Sequence, residues 1–487
     1  MSRRLWAPAL AVALMAVFAV AVHGWPPVTQ ARTTASRSEV PARAFGSKKI
    51  RAGLERAGAI HLAPPADLLA AVPADSGTPC PDPAIAVGPL APEAIPSTRL
   101  LPAHWRARDD VPVVSLYLEP CRLQRLLSNP RGRGKDWEEP GWLTLQDGGE
   151  VVFQSPVGVR LHGDKTRLLP GPKSFRVYFR PSLGGRPFPG ERLAAELVGH
   201  ELDELILHND ARPDVPDSTL THRFINPVSY DLARRVGLAT PATRPVVMVV
   251  NGELTGPVYV LTERLGADWA ARRFGHRDFD VLPGRARLET RERELWDGLR
   301  HQLLTAPPEN FAAVAAELFD FDSLMNWYVL MQLCATDDQL QAALVRDRRG
   351  VVAGGRWFVV PWDLDLGFRK RRKHGAPAWQ KDNFDFFHRR DPGRRYPLQI
   401  LVHHLFRNAE DLRRELAERF RTHLDGALRP EIITERLEHY ADFARRVPVD
   451  DLRFIAVHAE FFRHRPEVVR RQVGAYLGDG KSPARSN

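Results

Sequence analysis

The stretch Arg356-Trp357-Phe358-Val359-Val360-Pro361-Trp362-Asp363-Leu364-Asp365 joins an apolar run to two closely spaced acids. The β-branched and aromatic residues predict a strand that leads into the acids. If the strand continues through them, Asp363 and Asp365 point to one face, because side chains alternate with a period of two. Two carboxylates on one face need a cation or a basic side chain to stay ionised at low cost. Two interpretations therefore stand: a site for a hard divalent cation with bound phosphate, or a structural salt bridge.

Upstream of this stretch, apolar runs bounded by turn residues predict a β-rich part that opens near Val111. The predicted strands are Val113–Leu118, Gly149–Phe153, Val157–Leu161, Ser174–Phe179, Leu205–Leu207, Pro245–Asn251 and Pro257–Glu263. Asn251-Gly252, between the last two strands, is a strong signal for a two-residue hairpin turn. One helix is predicted among these strands, from Thr221 to Val236, because its apolar residues recur at helical spacing and Gly237 follows as a stop.

The second half of the chain carries longer amphipathic runs that predict helices. The predicted helices are Phe321–Cys334, which starts near Asp320 or Asp322, then Leu398–Leu424, Ile432–Val447 and Val457–Leu477. We therefore predict one α+β domain over residues 106–477, with a β-rich N-terminal part and a helical C-terminal part. Residues 478–487 are predicted to form a disordered tail.

The N-terminus predicts export. Ser2-Arg3-Arg4 precedes Leu5–Val22, an apolar run without charge that is typical of a signal peptide or a single N-terminal membrane anchor. The run is close to the shortest length that crosses about 30 Å of hydrocarbon. We assign residues 1–31 to this segment and residues 32–105, which are rich in Ala and Pro, to a linker. The expected location is extracytoplasmic: secreted, at the cell surface, or anchored by the N-terminal segment.

The cysteine content fits that location. The chain has Cys80, Cys121 and Cys334, and an oxidising compartment permits one disulfide, for which Cys80 with Cys121 is the favoured pair. No CxxC pair occurs, so a structural zinc site is not supported.

The charge balance argues against a nucleic-acid partner. The net charge is +10, from 69 Lys and Arg against 59 Asp and Glu. The arginines are scattered along the chain, and no zinc-finger, helix-turn-helix or aromatic RNA-binding pattern accompanies them. The basic run Arg369–Lys373 is the densest cluster; it suits attraction of an acidic substrate or nucleotide, or is a solvated loop.

Two segments of the β-rich part carry residues suited to phosphate binding. Arg160-Leu161-His162-Gly163 ends a strand in a glycine turn, and Lys173-Ser174-Phe175-Arg176 begins the next strand. Backbone N–H groups of such a turn, with Arg160, Lys173 and Arg176, suit phosphate oxygens. A glycine turn between strands is also the usual form of a simple hairpin, so both interpretations stand.

Two further acidic positions are candidates. Glu263 closes an apolar strand and either orients a phosphate-binding lysine or is an exposed strand-end carboxylate. Asp337-Asp338 follow the predicted helix Phe321–Cys334, where acids are unfavourable with the helix dipole. A catalytic base or a cation would explain acids at that place.

Taken in order, these segments resemble the CotH kinase family, atypical protein kinases related to a spore-coat protein. The segments that carry the resemblance are Arg160–Gly163, Lys173–Arg176, Asp217–Arg223, Asn251-Gly252 with Gly256 and Glu263, Asp337-Asp338, and Trp362–Phe368. The similarity as a whole covers roughly residues 111–475. The resemblance implies a protein-kinase-like fold and transfer of the γ-phosphoryl group of ATP to Ser or Thr of a protein substrate.

The resemblance also implies roles for the candidate residues. Lys173 would be the ATP-phosphate lysine with Glu263 as its partner, and Arg160 and Arg176 would lie on the cofactor-binding side. Such sites act by positioning and charge neutralisation.

Two acidic pairs would complete the site. Asp337 or Asp338 would be the general base that positions the acceptor hydroxyl. Asp363, with Asp365 close by, would hold Mg²⁺ (or Mn²⁺).

One departure from the family leaves a second function open. The family places an Asn a few residues after its base as a metal ligand, whereas Gln339–Val345 contains none, and Gln341 is the residue whose carbonyl would reach a cation. The alternative is a catalytically impaired CotH-like surface or coat protein that acts in binding or assembly. A glycan-directed phosphotransferase is a third interpretation, and the oligomeric state stays open.

Overall fold

In the computed structural model, the described residues are 111–164, 166–169, 171–209, 223–283, 290–336, 341–368, 377–388, 396–447 and 452–478. The segments assigned to residues 1–31 and 32–105 lie outside them, as does the assigned tail apart from Gly478.

The secondary structure follows the predicted division into a β-rich and a helical part. The strands are β1 (Val113–Tyr117), β2 (Glu139–Asp147), β3 (Glu150–Leu161), β4 (Phe175–Tyr178), β5 (Phe188–Pro189), β6 (Glu201–Leu202), β7 (Glu204–Asn209), β8 (Thr243–Val250), β9 (Glu253–Glu263), β10 (Phe279–Pro283), β11 (Ala342–Asp347) and β12 (Trp357–Pro361). The helices are α1 (Pro120–Ser128), α2 (Ile225–Arg235), α3 (Ala267–Phe274), α4 (Thr290–Thr305), α5 (Phe311–Leu318), α6 (Phe321–Cys334), α7 (Asn383–His388), α8 (Pro397–Asn408), α9 (Glu410–Asp425), α10 (Pro430–Arg446) and α11 (Arg453–Leu477). The α+β class is confirmed.

The β-rich part is a closed barrel in the order β1-β2-β3-β4-β7-β9-β8. Neighbouring strands pair antiparallel except β1 and β8, which pair parallel and close the barrel. The alternation of side chains decides what lies inside. In β4, Phe175 and Val177 are buried in the barrel core, whereas Arg176 between them lies on the outer face.

The strand β3 corrects one prediction. Two strands separated by turn residues were expected at Gly149–Phe153 and Val157–Leu161, but Glu150–Leu161 is one continuous strand. Pro156 is tolerated within it because β4 pairs with β3 only from Gly158 onward, so one side of β3 is open at the proline.

The hairpin between β8 and β9 confirms the turn prediction. Asn251 and Gly252 have φ of 47° and 80°, which is the left-handed backbone that a two-residue turn of this kind requires. The Asn251 side chain also accepts from the Leu118 N–H and donates to the Leu118 carbonyl, both at 2.8 Å. The turn is thereby tied to the end of β1.

Helix α2 lies between the barrel and the helical part. It begins at Ile225, four residues later than the predicted start at Thr221, which lies outside the described residues. Its predicted apolar face is buried, and Gly237 ends it with φ of 82°, as expected.

Helix α6 is the centre of the helical part. Every residue from Trp327 to Cys334 is buried, so the helix is surrounded by packed elements on all sides. Asp320 caps its start by accepting from the Ser323 N–H at 2.9 Å, which selects Asp320 over Asp322 as the cap. The small antiparallel sheet β10-β11-β12 packs beside it.

One predicted helix is divided. Leu398–Leu424 was expected to be continuous, but Ala409 is extended (φ −110°, ψ 101°) and separates α8 from α9. The acids Glu410 and Asp411 then fill the first turn of α9, where they favour a new helix N-terminus. None of the helices in the described ranges is long and apolar enough to span a membrane.

The cysteines differ in state. Cys121 is disulfide-bonded, whereas Cys334 is a buried free thiol. Burial raises the pKa of Cys334 to about 12, so it is an inert thiol at neutral pH. Cys80, the expected partner of Cys121, lies outside the described residues.

Candidate functional site

The acidic pair lies beyond the end of β12, in a turn. The prediction that Asp363 and Asp365 share a strand face is therefore wrong, because the strand ends at Pro361. Asp363 has φ of 57°, a left-handed conformation, and its N–H donates to the Tyr230 hydroxyl at 3.2 Å. Asp365 is 6% exposed, and Leu364 between the two acids is buried in the helical core.

Gln341 meets Asp363. Its Nε2 atom donates to Asp363 Oδ2 at 3.1 Å. Gln341 immediately precedes β11 and Asp363 closely follows β12, so the β11–β12 hairpin brings the two side chains together. The predicted base residues, Asp337 and Asp338, lie outside the described residues, which resume at Gln341.

Buried basic side chains hold the C-terminal end of α6, just before this segment. Arg465 is fully buried; its guanidinium donates to the Gln332 carbonyl at 2.9 Å and to the carbonyls of Trp379 and Lys381 at 2.9 and 2.6 Å. The Lys381 ammonium donates to the Thr336 carbonyl. Helix C-terminal carbonyls carry partial negative charge, so these two cations stabilise the end of α6. They thereby fix the position from which residues 337–340 continue.

A cavity of about 400 Å³ opens between the barrel and the helical part. Leu265, Ala343 and Trp362 contribute apolar surface, and Arg264 and Glu204 contribute charge. Trp362 directly precedes Asp363, so the cavity and the acidic turn are neighbours along the chain. Five carboxylates and three arginines line it in all, so its charge is mixed, and its volume is sufficient for a small ligand.

The outer face of the barrel near the cavity is rich in arginine. The guanidinium groups of Arg160 and Arg176 lie 4.5 and 4.9 Å from the Tyr178 ring centre. The structure thus brings these two predicted residues together, by cation–π contact. Arg160 pairs with Glu138 at 2.5 Å, and Arg176 pairs with Glu204 at 2.7 Å through its Nε atom.

Arg264 is a charged group beside this face that forms no direct ion pair, although the nearby carboxylates of Glu204 and Glu292 favour its charged form. It lines the cavity and forms no salt bridge with any described residue. Burial lowers the pKa of Arg264, and the nearby Arg176 lowers it further. Burial likewise lowers the pKa of the neighbouring His162 well below its ordinary value, so His162 is neutral at physiological pH. A guanidinium in this setting attracts an anion.

The predicted pair Lys173–Glu263 does not form. The Lys173 ammonium donates to the Leu169 carbonyl, and burial lowers the pKa of Lys173. Glu263 is 1% exposed and accepts from Arg272 at 3.1 Å and from the Ala242 N–H at 3.2 Å. Burial raises the pKa of Glu263, although Arg272 opposes the shift. Glu263 is therefore a buried partner of α3 and not the exposed strand-end carboxylate of the alternative interpretation.

The register of strands β4, β7 and β9 keeps Lys173 and Glu263 apart. Val177 of β4 is level with Leu205 of β7, which is level with Glu263 of β9. Lys173 precedes the start of β4 and lies four residues along the strand direction from that level. The Tyr259 hydroxyl, not the Glu263 carboxylate, lies at Lys173, where it donates to the backbone carbonyl at 2.9 Å.

The donor set at the acidic turn fits a hard divalent cation. Mg²⁺ in proteins commonly takes one or two carboxylates and completes its shell with water and phosphate oxygens. Asp363 and Asp365 supply two carboxylates, and the Gln341 amide is in contact with the first of them. In the described part of the chain, no three His, Cys, Asp or Glu side chains cluster closely enough to form a metal site alone.

Sequence reasoning missed several residues of this region. Arg264, Lys381 and Arg465 were not singled out, because basic residues are frequent in the chain and carry no local signal of burial. Trp362 was not singled out for a cavity either; it is half-buried, packs partly against the small apolar cluster beside β10–β12, and lines the cavity.

The part of the chain that contains the cavity and the acidic turn is also the part that is similar to a known protein family. A family model described as CotH kinase protein matches residues 159–453. The match runs from the last residues of β3 to the first residue of α11 and includes the cavity and the acidic turn. No curated protein matches the chain.

Proposed function

The chain belongs to the CotH kinase protein family, and from this premise we propose that it is an exported protein kinase that transfers the γ-phosphoryl group of ATP to protein Ser or Thr with Mg²⁺ or Mn²⁺. The observation that carries the proposal is the turn after β12. It presents Trp362 to the cavity and Asp363 to Gln341, so a ligand cavity and an acidic, cation-suited turn are adjacent.

The order of elements supports a protein-kinase-like fold. In protein kinases a glycine-containing loop and a lysine precede a helix, and a catalytic loop precedes the metal-binding acid. This chain has the Gly163 turn and Lys173, then α2, then the segment after α6, then Asp363. Lys173 differs from the protein-kinase lysine in two respects. It precedes β4 instead of lying within a strand, and it has no carboxylate partner among the described residues.

Charge neutralisation is the chemistry that these residues support. Phosphoryl transfer needs its reactants aligned and its developing charge stabilised. Arg264 provides positive charge at the cavity, and Asp363 with Asp365 would hold the cation. Asp337 or Asp338 would position the acceptor hydroxyl as the general base. A bound divalent cation would supply further positive charge beside the transferred group.

The proposal has a direct test. The full-length chain is incubated with radiolabelled ATP, a Ser/Thr-containing acceptor protein, and Mg²⁺ or Mn²⁺. We expect incorporation that Asp363→Ala abolishes and that Asp411→Ala, which removes an exposed carboxylate on α9, leaves unchanged. Incorporation no higher than that of the Asp363→Ala protein with either metal would rule the proposal out.

Location and partners are part of the same proposal. The basic start and apolar run Leu5–Val22 support export, and membership of a family related to spore-coat proteins supports a surface location. The proposed partner is a protein with Ser or Thr acceptors, and no nucleic acid is proposed.

A second candidate is a catalytically impaired relative that binds or assembles at the surface. The observation that favours it is the state of Lys173 and Glu263, each of which is engaged elsewhere. Thermal unfolding with Mn²⁺ and ATP separates the two candidates. A nucleotide-binding protein at 100 times its dissociation constant gains about 2.7 kcal/mol, whereas an inert scaffold gains nothing.

A further inference from the structure

One face of α2 looks onto the acidic turn. Ser229 contacts Cys334, at the end of α6, with 3.8 Å between Oγ and Sγ. The Tyr230 hydroxyl accepts from the Asp363 N–H. Ile225 packs near Gly367, since a Cβ built there would lie 3.5 Å from Ile225 Cγ2. The first two turns of α2 therefore lie against residues 363–367 and the end of α6.

Asn226 lies on that face. At about 100° per residue, its side chain is roughly 60° from Ser229 and 40° from Tyr230 around the helix axis, between the two. It is one turn N-terminal to both, and helical side chains at this spacing cover a common surface. Asn226 thus faces the same side as the residues that touch Cys334 and Asp363.

The Asn226 side chain is buried and incompletely satisfied. It is 8% exposed, and its Oδ1 atom accepts no hydrogen bond from any described residue. A buried carbonyl oxygen without a partner is costly, and in native structures a water, an ion, local strain or a catalytic role usually accounts for it. Neighbouring polar groups on α2 are paired, since Asp231 accepts from Tyr440 at 2.7 Å.

The chemistry of Oδ1 limits what its partner can be. A carboxamide oxygen only accepts, as phosphate oxygens do, so the two cannot bond each other directly. The partner must be a cation or a donor. The carboxylates of Asp363 and Asp365 draw a cation to this place, and a neutral amide oxygen is a normal ligand of hard divalent metals.

We propose that Asn226 is a ligand of the divalent cation at Asp363, directly or through one metal-bound water. This inference rests on the proposed function for the presence of that cation. It adds a ligand from α2, outside the segments that the sequence singled out for the metal. It also makes the contact of α2 with the acidic turn sensitive to metal binding.

The test compares Asn226→Leu, which keeps the size and removes the oxygen, with Asn226→Asp, which keeps an oxygen and adds charge. Asn408→Leu, at an exposed position of α8, is the matched control. Binding of Mn²⁺ with a non-hydrolysable ATP analogue to the full-length chain is measured by calorimetry. Unfolding of each metal-free protein is measured in parallel.

We expect Asn226→Leu to bind the metal complex about tenfold to 100-fold more weakly, the range found when groups that support a metal are removed. Asn226→Asp should bind at least as tightly as the unmodified chain. The metal-free Asn226→Leu protein should melt at the same or a higher temperature, because an unpaired buried oxygen has been removed.

Two other outcomes overturn the inference in different ways. In the first, the unmodified chain binds the complex, and either Asn226→Leu binds it equally well or Asn226→Asp loses binding as well. Asn226 is then not a ligand, and the proposed function stands. If the unmodified chain binds no metal–nucleotide complex, the proposed function fails and this inference fails with it.

Discussion

Gln341 Nε2 donates to Asp363 Oδ2 at 3.1 Å across the base of the β11–β12 hairpin. This hydrogen bond joins the segment after α6 to the acidic turn after β12. It restricts the orientation of the Asp363 carboxylate. The two halves of the proposed catalytic region are therefore connected by a direct side-chain contact.

Removing this hydrogen bond should weaken metal binding. We expect Gln341→Leu to raise the Mg²⁺ concentration needed for half-maximal phosphotransfer about tenfold, since partners that orient a metal ligand typically contribute 10- to 100-fold. The measurement is a Mg²⁺ titration of activity at saturating ATP. Gln302→Leu, at an exposed site on α4, should leave the titration unchanged. An unshifted Gln341→Leu titration would show that the hydrogen bond has no part in binding.

The left-handed backbone of Asp363 predicts that two substitutions differ in stability. Both Asp363→Gly and Asp363→Ala remove the carboxylate and should abolish metal binding. Glycine adopts φ of 57° without strain, whereas alanine does not, so Asp363→Gly should be about 1 kcal/mol more stable than Asp363→Ala. Urea unfolding of the two proteins checks this difference. Equal stabilities would mean that the turn relaxes when the carboxylate is lost.

The buried guanidinium of Arg465 should stabilise the fold strongly. Replacing Arg465 by Met leaves the carbonyls of Gln332, Trp379 and Lys381 without their donor. We expect the free energy of unfolding to fall by roughly 3 kcal/mol. Burial lowers the pKa of Arg465 to about 9, so the side chain still carries its charge at neutral pH.

The control for this prediction lies on the same helix. Arg463 is exposed, and Arg463→Met should change stability by less than about 0.5 kcal/mol. Denaturant titrations of both proteins give the comparison. If Arg465→Met were as stable as Arg463→Met, the carbonyls at the end of α6 would have found other donors.

His162 should make stability depend on pH below neutrality. Its pKa is well below the ordinary value in the folded chain, first because of burial and then because of His208, Arg264 and Arg176. Between that lowered pKa and about 6.5, the unfolded chain binds a proton that the folded chain does not, so stability falls as the pH falls through this window.

The pH prediction is tested with a neutral replacement. The melting temperature of His162→Asn should decline less than that of the unmodified chain between pH 7.5 and about pH 5. His439→Asn, at an exposed position of α10, is the matched comparison. Parallel pH profiles for the unmodified chain and His162→Asn would contradict the assignment.

Local signals in the sequence were sufficient wherever a structure depends on a few neighbouring residues. The Asn251-Gly252 turn, the Asp320 cap and the Gly237 stop are all confirmed, because each acts through backbone geometry within one turn. The break at Ala409 escaped prediction because the amphipathic pattern continues across it, although Glu410 and Asp411 in the first turn of α9 favour a new helix start.

The sequence by itself thus determined the α+β class, the Asn251-Gly252 hairpin and the order of the acidic segments, since apolar periodicity and turn residues act locally. It did not predict strands β2, β5, β6, β10 and β11 or helices α1, α3, α4, α5 and α7. The tertiary structure decided which charges meet. It paired Glu263 with Arg272 instead of Lys173, turned Asp363 toward Gln341, and left the Asn226 oxygen buried beside the acidic turn. The physical reason is that an ion pair or a buried amide depends on strand register and helix packing between residues far apart in the chain, and no local pattern encodes those distances.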